Sequence, residues 1–399
     1  MIAVDPATAS RTRDRFPCFD GLRAIAAGAV VVLHVSLISG FTFRDSNRFG
    51  QYFARGEAGV YLFFLISGYL LYRPFVAARF DERPGPGVRG YARRRALRIL
   101  PAYWLALTVL VVVFDTRRRH DIGSVRDLVV YYGFLQIYFR STVVGGLQQA
   151  WSLCTEVTFY VFLPIWAVLM RRRRADARPG WILCTELVGL AALFVVGVAS
   201  RWMVVRGFPD ANVPVDYRLD WLPMNADLFA LGMGVAVLRE WNLRRVRPTV
   251  ALEAVGRHPG LCWIAAAVAY WAVSTQASLP LGPGANSPAQ WMARQFLYAA
   301  AALFLLLPAV FGPQDRGFIR RLLRSRLMIA GGLISYGVYL WHEGVLDIWM
   351  HGRDIQPFLA DFLPLLVVAV VGSIALATAS YFAVERPALR LRSAVRTRA

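Results

Sequence analysis

The chain has 399 residues, of which 57% are hydrophobic and 18% are charged. An ordinary soluble domain carries roughly 45–50% apolar and about 25% charged residues, so the composition excludes a typical soluble protein. The formal net charge is +20, and every basic residue apart from histidine is an arginine. These arginines lie in short segments between long apolar runs, which argues against nucleic-acid binding and is typical of membrane-protein loops.

Ten apolar runs are long enough to cross a bilayer, which takes about 20 residues. A further run, 128–139, is shorter and rich in aromatic residues, and we interpret it as re-entrant or interfacial. The sequence therefore predicts an all-α, polytopic bundle of about ten transmembrane helices. The predicted spans are 20–39, 57–76, 99–114, 150–170, 181–203, 223–239, 259–275, 291–311, 327–349 and 361–383.

The predicted transmembrane domain occupies 20–385, between an N-terminal segment 1–19 and a basic tail 386–399. The first run has no small-residue cleavage site after it, so we expect a retained helix and not a signal peptide. When both termini are placed in the cytoplasm and the spans alternate, most arginines fall on the cytoplasmic side. This predicts a multi-pass plasma-membrane protein, although the cluster 117–119 falls outside and does not fit.

Beyond its first residue, Asp20, the first span contains two charged or ionisable residues, Arg23 and His34. Eleven steps of 100° bring their side chains to within roughly 20° of one helix face, about 16 Å apart along the axis. Alone, Arg23 is explained by snorkelling to the headgroups, and His34 by a hydrogen bond within the bundle. Because a polar pair on one face inside a membrane is costly, we favour a functional interpretation.

Two later spans carry ionisable residues at a similar expected depth. The fourth span begins at Trp151 and contains Glu156, and the ninth contains His342. We expect His34, Glu156 and His342 to lie at a similar depth in the outer half of the membrane. Such a group either joins helices through polar contacts or forms the imidazole and carboxylate of a general base or proton relay.

Arg94, Arg95 and Arg98 precede the third span, and paired guanidinium groups suit bidentate phosphate binding. A topology signal in contact with anionic lipid explains the same cluster. Ser67 and Gly68 lie near the middle of the second span, where small residues more often allow close helix packing than perform chemistry. The four cysteines show no paired spacing, so no metal site is expected.

Taken together, these motifs resemble the acyltransferase-3 family of integral membrane acyltransferases, over residues 19–387. The resemblance rests on the order and spacing of six short motifs. They are Arg23 with His34, Phe-Phe-x-x-Ser-Gly at 63–68, Arg-Arg-x-x-Arg-x-x-Pro at 94–101, Trp-Ser-Leu-x-x-Glu-x-x-Phe-Tyr at 151–160, Ser-Tyr-x-x-Tyr-Leu-x-His at 335–342 and Glu-Arg-Pro at 385–387.

The resemblance implies transfer of a short acyl group such as acetyl from acyl-CoA to a hydroxyl of a sugar, glycolipid, surface polysaccharide or secondary metabolite. It implies His34 as the base, with Glu156 or His342 orienting it or stabilising charge. Phosphates of acyl-CoA would bind Arg23, Arg94, Arg95 and Arg98. The remaining motif residues are expected to contact the substrates: Ser67, Trp151, Tyr160 and Tyr339.

Some members of the family carry a fused extracytoplasmic hydrolase-like domain. We expect this chain to be the stand-alone form, which leaves room for a separate partner. The competing hypothesis is a proton-coupled transporter or flippase, because ionisable residues within spans also mark carriers. Carriers often show inverted repeats, and the sequence shows no such symmetry.

Overall fold

A computed structural model describes residues 16–43, 48–114, 122–172, 178–207, 216–281 and 286–390. Most of the predicted terminal segments and the arginines at 117–119 lie outside these ranges. Every regular element in the described part of the chain is helical. Ten of the described helices have 17 or more residues: α1 Pro17–Ile38, α2 Ala58–Phe80, α3 Val88–Thr108, α4 Trp151–Arg172, α5 Pro179–Val205, α6 Ala226–Leu243, α7 Pro259–Thr275, α8 Pro288–Val310, α9 Arg326–His351 and α10 Phe362–Ser380.

Each predicted span overlaps one of these helices, and the all-α class is confirmed. The largest difference is at α3, which begins at Val88 and not at the predicted residue 99. Seven of them are long and apolar enough to cross a membrane. The other three are α3, which begins with the arginine cluster, α7, which has 17 residues, and α9, which carries His342 and Glu343. Ten crossings and two cytoplasmic termini therefore stay predictions.

Several helices begin where the sequence provides an N-terminal signal. A proline at the first turn opens four of them, where its missing N–H costs nothing because that donor has no partner within the helix. These prolines are Pro17, Pro179, Pro259 and Pro288. The hydroxyl of Ser325 accepts a hydrogen bond from the Met328 N–H and caps α9.

The aromatic segment 128–139 does not form a long helix. It contains the end of the short helix Val125–Tyr132 and the single turn Gln136–Tyr138. An eight-residue helix is about 12 Å long, which is too short to cross the hydrocarbon. The Tyr103 hydroxyl donates to the Tyr131 carbonyl at 2.8 Å and the Trp221 indole to the Ile137 carbonyl at 2.7 Å. These hydrogen bonds hold the segment against the bundle, which agrees with the prediction of an element that does not cross the membrane.

Helix α2 lies at the centre of the bundle, where it packs against α1, α4, α6 and α8. Its contact with α6 is closest at two glycines. A methyl group on Gly68 would stand 2.5 Å from the Phe229 carbonyl, and one on Gly232 would stand 2.1 Å from the Leu65 carbonyl. Gly68 therefore has the packing role expected of a small residue within a span.

Helix α9 packs between α1 and α10 and brings the distant end of the sequence to the first span. Near one end of the contact, Gly332 lies against the backbone of Asp20. Towards the other end, His342 reaches His34. The two helices consequently run side by side in the same direction, which fixes the geometry of the site described next.

Candidate active site

Two cavities are lined by residues of both α1 and α9. We call the first the arginine cavity, because Arg23, Arg95 and Arg98 line it together with Glu156. It has about 740 Å³ of empty volume. The Ser67 hydroxyl donates a hydrogen bond to the Glu156 carboxylate within it. Three guanidinium groups around one carboxylate leave this cavity with a net positive wall, suited to an anionic ligand.

The second cavity, here the histidine cavity, is lined by His34 and by several aromatic and polar side chains. It has about 1260 Å³ of empty volume. Trp151 and Trp291 lie in its wall with Asp220, which ends the turn Tyr217–Asp220. Burial raises the pKa of the Asp220 carboxyl to about 7. Aromatic faces beside polar groups make this cavity suitable for a polar organic ligand.

Three side chains at the edge of the histidine cavity form a continuous chain of contacts. His34 Nε2 lies 3.1 Å from Glu343 Oε1, and His34 Nδ1 lies 2.9 Å from His342 Nε2. His342 Nδ1 lies 3.2 Å from the Val338 carbonyl, one turn earlier on α9. His342 and Glu343 are buried, whereas the His34 side chain keeps 26% of its surface exposed. Of these three side chains, His34 is therefore the one that a ligand can reach.

The hydrogen-bond acceptors in this series of contacts determine where the protons lie. A carbonyl oxygen only accepts, so His342 Nδ1 donates to Val338 and its Nε2 accepts from His34 Nδ1. His34 Nε2 and Glu343 Oε1 then share one proton, held either by the imidazole as an ion pair or by the carboxyl. A pair that exchanges one proton in this way can take up and return a proton during a reaction.

Tyr339 lines both cavities and separates them. Its hydroxyl donates to the Gln149 carbonyl at 2.5 Å and lies 2.8 Å from the Ser152 hydroxyl. Both partners lie at or next to the start of α4, so this end of α4 holds the ring in place. The two cavities thus approach each other at one fixed tyrosine, one turn of α9 before His342.

The three side chains His34, His342 and Glu343 also place nitrogen and carboxylate atoms within 4.8 Å of one another. Two histidines and a carboxylate are a donor set that Zn²⁺ accepts. Here both ring nitrogens of His34 already face hydrogen-bonding partners. The geometry is that of a proton-sharing chain, and we assign no metal to it.

Comparison with known proteins identifies the protein family. The family model of an acyltransferase domain, acyltransferase-3, matches residues 16–381. The chain belongs to this acyltransferase family. It is 24% identical over 398 residues to the acyltransferase MdmB of Streptomyces mycarofaciens, with 94% of this chain and 92% of that protein covered.

Other relatives of this acyltransferase-family chain are longer proteins. It is 22% identical over 359 residues to the peptidoglycan O-acetyltransferase OatA of Listeria monocytogenes, covering 86% of this chain and 51% of OatA. A Staphylococcus aureus protein provisionally named an O-acetyltransferase is 22% identical over 392 residues, with 93% and 57% covered. The chain thus spans little more than half the length of these relatives. No solved structure matches it significantly.

The acyltransferase-family fold brings together only some of the predicted site residues. His34 and His342 contact each other, but Glu156 does not lie with them. It lines the arginine cavity and accepts a hydrogen bond from Ser67, so a similar predicted depth did not lead to contact with the two histidines. Equal depth along two helices does not make them neighbours, and the helix beside α1 at this point is α9, not α4.

The remaining predicted residues divide between the two cavities. Arg23, Arg95, Arg98, Ser67 and Tyr160 line the arginine cavity, Trp151 lines the histidine cavity, and Tyr339 lines both. Arg94 is half-buried at its position on α3 and does not line the arginine cavity. Its side chain lies towards Gly90, one turn nearer the start of the helix.

Sequence reasoning missed Glu343, whose carboxylate occupies the place expected for Glu156. A signal was present, because Glu343 follows His342 directly and an acidic residue within a predicted span is a functional candidate by itself. Its side chain leaves α9 about 100° from that of His342, so the sequence did not predict that both would contact His34.

Proposed function

We propose that this protein is a membrane O-acyltransferase that takes an acyl group from acyl-CoA and esterifies a hydroxyl. The donor would place its phosphates in the arginine cavity, and the hydroxyl acceptor would occupy the histidine cavity. The observation that carries this proposal is that the two cavities meet at Tyr339, beside the His34–Glu343 pair. A transferase for two large substrates needs such a meeting point.

The distances support a donor of this kind. Arg23 and His34 lie on one helix about 16 Å apart along its axis. Coenzyme A has a phosphate-rich head and a long pantetheine arm, so phosphates near Arg23 are compatible with a thioester near Tyr339. The positive-inside pattern predicts that the arginine cavity opens to the cytoplasm, where acyl-CoA is made.

The proton-sharing pair supports direct transfer. The reactive form would be the pair without its shared proton. The acceptor hydroxyl would give its proton to His34 Nε2 as the oxygen attacks the thioester carbonyl, and the imidazolium so formed is the ion-pair partner of the Glu343 carboxylate. The carbon–sulfur bond then breaks, and the departing thiolate takes the proton back from the pair. The ester and free coenzyme A account for all atoms, and no acyl-enzyme is needed.

The acyl group and acceptor are proposed by chemical class. The names of the relatives support a short acyl group such as acetyl. The polar and aromatic wall of the histidine cavity supports a hydroxyl-bearing acceptor such as a sugar, glycolipid, surface polysaccharide or secondary metabolite. The competing hypothesis of a proton-coupled carrier has no support from the family match.

The test is a transfer assay with purified protein in lipid. Acetyl-CoA carrying an isotopic label in the acetyl group is supplied with extracts of host glycans, glycolipids and secreted metabolites. We expect a labelled ester in one acceptor fraction and free thiol in equal amount. No thiol release, together with loss of export of an unmodified molecule when the gene is deleted, would show a carrier instead.

A further inference from the structure

An apolar groove runs along the surface between α3 and α4, beside the arginine cavity. Its walls come from residues 88–100 of α3 and 157–169 of α4, and it has about 1420 Å³ of empty volume. Apart from Arg95, every lining side chain is apolar or aromatic. On the outer rim Val161, Ile165 and Leu169 are 66%, 57% and 49% exposed. Apolar side chains this exposed on a membrane helix face lipid.

The length of the groove matches one leaflet. Residues 88–100 of α3 rise about 18 Å at 1.5 Å per residue. Half of a hydrocarbon core of about 30 Å is about 15 Å. The groove is therefore about as long as one leaflet. The rise from Tyr91 to Leu100, about 14 Å at 1.5 Å per residue, leaves room for most of one acyl chain beyond a phosphate at Tyr91.

The inner wall of the groove has polar atoms without partners. Arg95 Nε and the Tyr91 hydroxyl are buried and have no hydrogen-bond partner among the described residues. Both residues line the groove. A buried unsatisfied donor destabilises the protein, and a bound acceptor group removes that cost. A cation and a hydroxyl at one place suit an anionic oxygen such as that of a phosphate.

The groove also opens towards the proposed donor site. Arg95, Ile99 and Tyr160 line both the groove and the arginine cavity. The acyl chain of a donor is an unsuitable occupant, because the thioester must reach Tyr339 and His34. That point lies further along the bundle, away from the part of the groove next to Val88. A membrane lipid is free of this constraint.

We propose that the apolar groove binds one acyl chain of an anionic phospholipid, whose phosphate contacts Arg95 and Tyr91. The lipid is drawn from the leaflet on the arginine side. Its chain closes the lateral opening between α3 and α4. Its phosphate lies against Arg95 and Tyr91, whose buried, unpartnered donors turn towards it when the lipid binds. Arg23 and Arg98, which line the arginine cavity but not the groove, are left for the donor.

The test compares two tryptophan substitutions in the full chain. Ile165→Trp fills the groove, whereas Val188→Trp on α5 lies outside it at a matched position. Ile165 and Val188 are 57% and 59% exposed, and they lie seven and nine residues from the helix ends Arg172 and Pro179. Each protein is reconstituted in phosphatidylcholine containing a minor fraction of phosphatidylglycerol, extracted, and examined by native mass spectrometry for retained lipid.

We expect the wild-type protein and Val188→Trp to retain phosphatidylglycerol preferentially. Ile165→Trp should retain at least ~10-fold less, because a tenfold loss corresponds to only 1.4 kcal/mol of binding free energy. Arg95→Gln should bind the two lipids equally, because the neutral amide no longer distinguishes their headgroup charge. The readout needs no acyl transfer, so it is independent of the proposed function.

Three results would overturn this proposal. The first is equal phosphatidylglycerol retention by Ile165→Trp and Val188→Trp, which would place the lipid elsewhere. The second is preference for phosphatidylglycerol in Arg95→Gln as strong as in the wild type. The third is retention unchanged in Ile165→Trp with selective loss of long-chain acyl-CoA binding, which would make the groove a site for the donor chain.

Discussion

At the scale of single residues, the central feature is that both ring nitrogens of His34 are occupied. His342 lies on one nitrogen and Glu343 on the other. Because the Val338 carbonyl fixes the orientation of protons in His342, the basic nitrogen of His34 is the one that faces Glu343. The base is therefore a pair and not a lone imidazole, and each member of the pair can be tested by itself.

Glu343→Gln should lower the turnover number at least ~10-fold, and by no more than the roughly 10²–10⁴-fold contribution of a general base. The amide would donate to His34 Nε2 and occupy the lone pair that takes the proton. Glu343→Asp should retain part of the activity, because it keeps a carboxylate. Initial rates against acyl-CoA concentration check this, and turnover in Glu343→Gln equal to that of the wild type would remove Glu343 from the mechanism.

Two arginines of α3, Arg98 and Arg94, allow a controlled test of the donor site. Arg98→Ala should weaken acyl-CoA binding about tenfold, because a charge-assisted contact to phosphate contributes on the order of 1.5–3 kcal/mol. Arg98→Lys should restore part of the acyl-CoA binding, because the ammonium group keeps the charge but cannot bind phosphate through two parallel N–H groups as a planar guanidinium does. Arg94→Ala removes the same charge outside the cavity and should bind nearly normally. Equal losses in Arg94→Ala and Arg98→Ala, measured by titration calorimetry, would indicate a general charge effect instead.

Sequence reasoning reached part of the site. The helical repeat placed Arg23 and His34 on one face, and each lines a cavity. Depth could be estimated from position within a span, but the identity of the neighbouring helix could not. Glu156 and Glu343 both satisfied the depth argument, and only the packing of α9 against α1 distinguishes them.

At the scale of helices, glycines set how closely α2 and α6 approach. Gly232 lies against the Leu65 backbone. For Gly234 on the same helix, no atom of the described residues outside its own stretch of helix lies within 4 Å of where a methyl group would stand. Gly232→Ala should lower the free energy of unfolding by about 1–3 kcal/mol through overpacking. Gly234→Ala should leave it unchanged or raise it by about 0.5–1 kcal/mol.

Thermal unfolding of both variants in the same detergent measures this difference. A fall in Tm for Gly232→Ala without a fall for Gly234→Ala is expected. Equal Tm values for the two variants would show that α2 and α6 can separate at no cost, contrary to the packing described.

The long helices were predictable because length and hydropathy determine them, and four begin at a proline that the sequence displays. The structure of the segment 128–139 was less predictable. Its re-entrant or interfacial position stays a prediction, whereas the hydrogen bonds by which Tyr103 and Trp221 hold its backbone join distant parts of the chain. Such contacts leave no periodic signal in the sequence.

At the scale of the whole molecule, the arginine distribution predicts orientation. Reporter fusions after Arg174, Arg247 and Arg326 should all report the cytoplasm, and a fusion at Pro280 should report the outside. An external signal after Arg174 would reverse the direction of α4. It would also remove the reason for placing the donor in the cytoplasm.

The central claim is that the donor binds in the arginine cavity, the acceptor binds in the histidine cavity, and the two react beside His34. The most direct measurement is the initial rate against acyl-CoA concentration for purified His34→Ala in lipid, with an accepting hydroxyl compound. We predict at least a ~100-fold loss of turnover with nearly unchanged acyl-CoA binding, because His34 lies about 16 Å from Arg23.

His351→Ala, an exposed histidine at the end of α9, is the matched control and should be fully active. Turnover in His34→Ala close to that of His351→Ala would contradict the account, as would a loss of acyl-CoA binding as large as the loss of turnover. The first result would remove His34 as the base. The second would show that the two cavities act as one binding network.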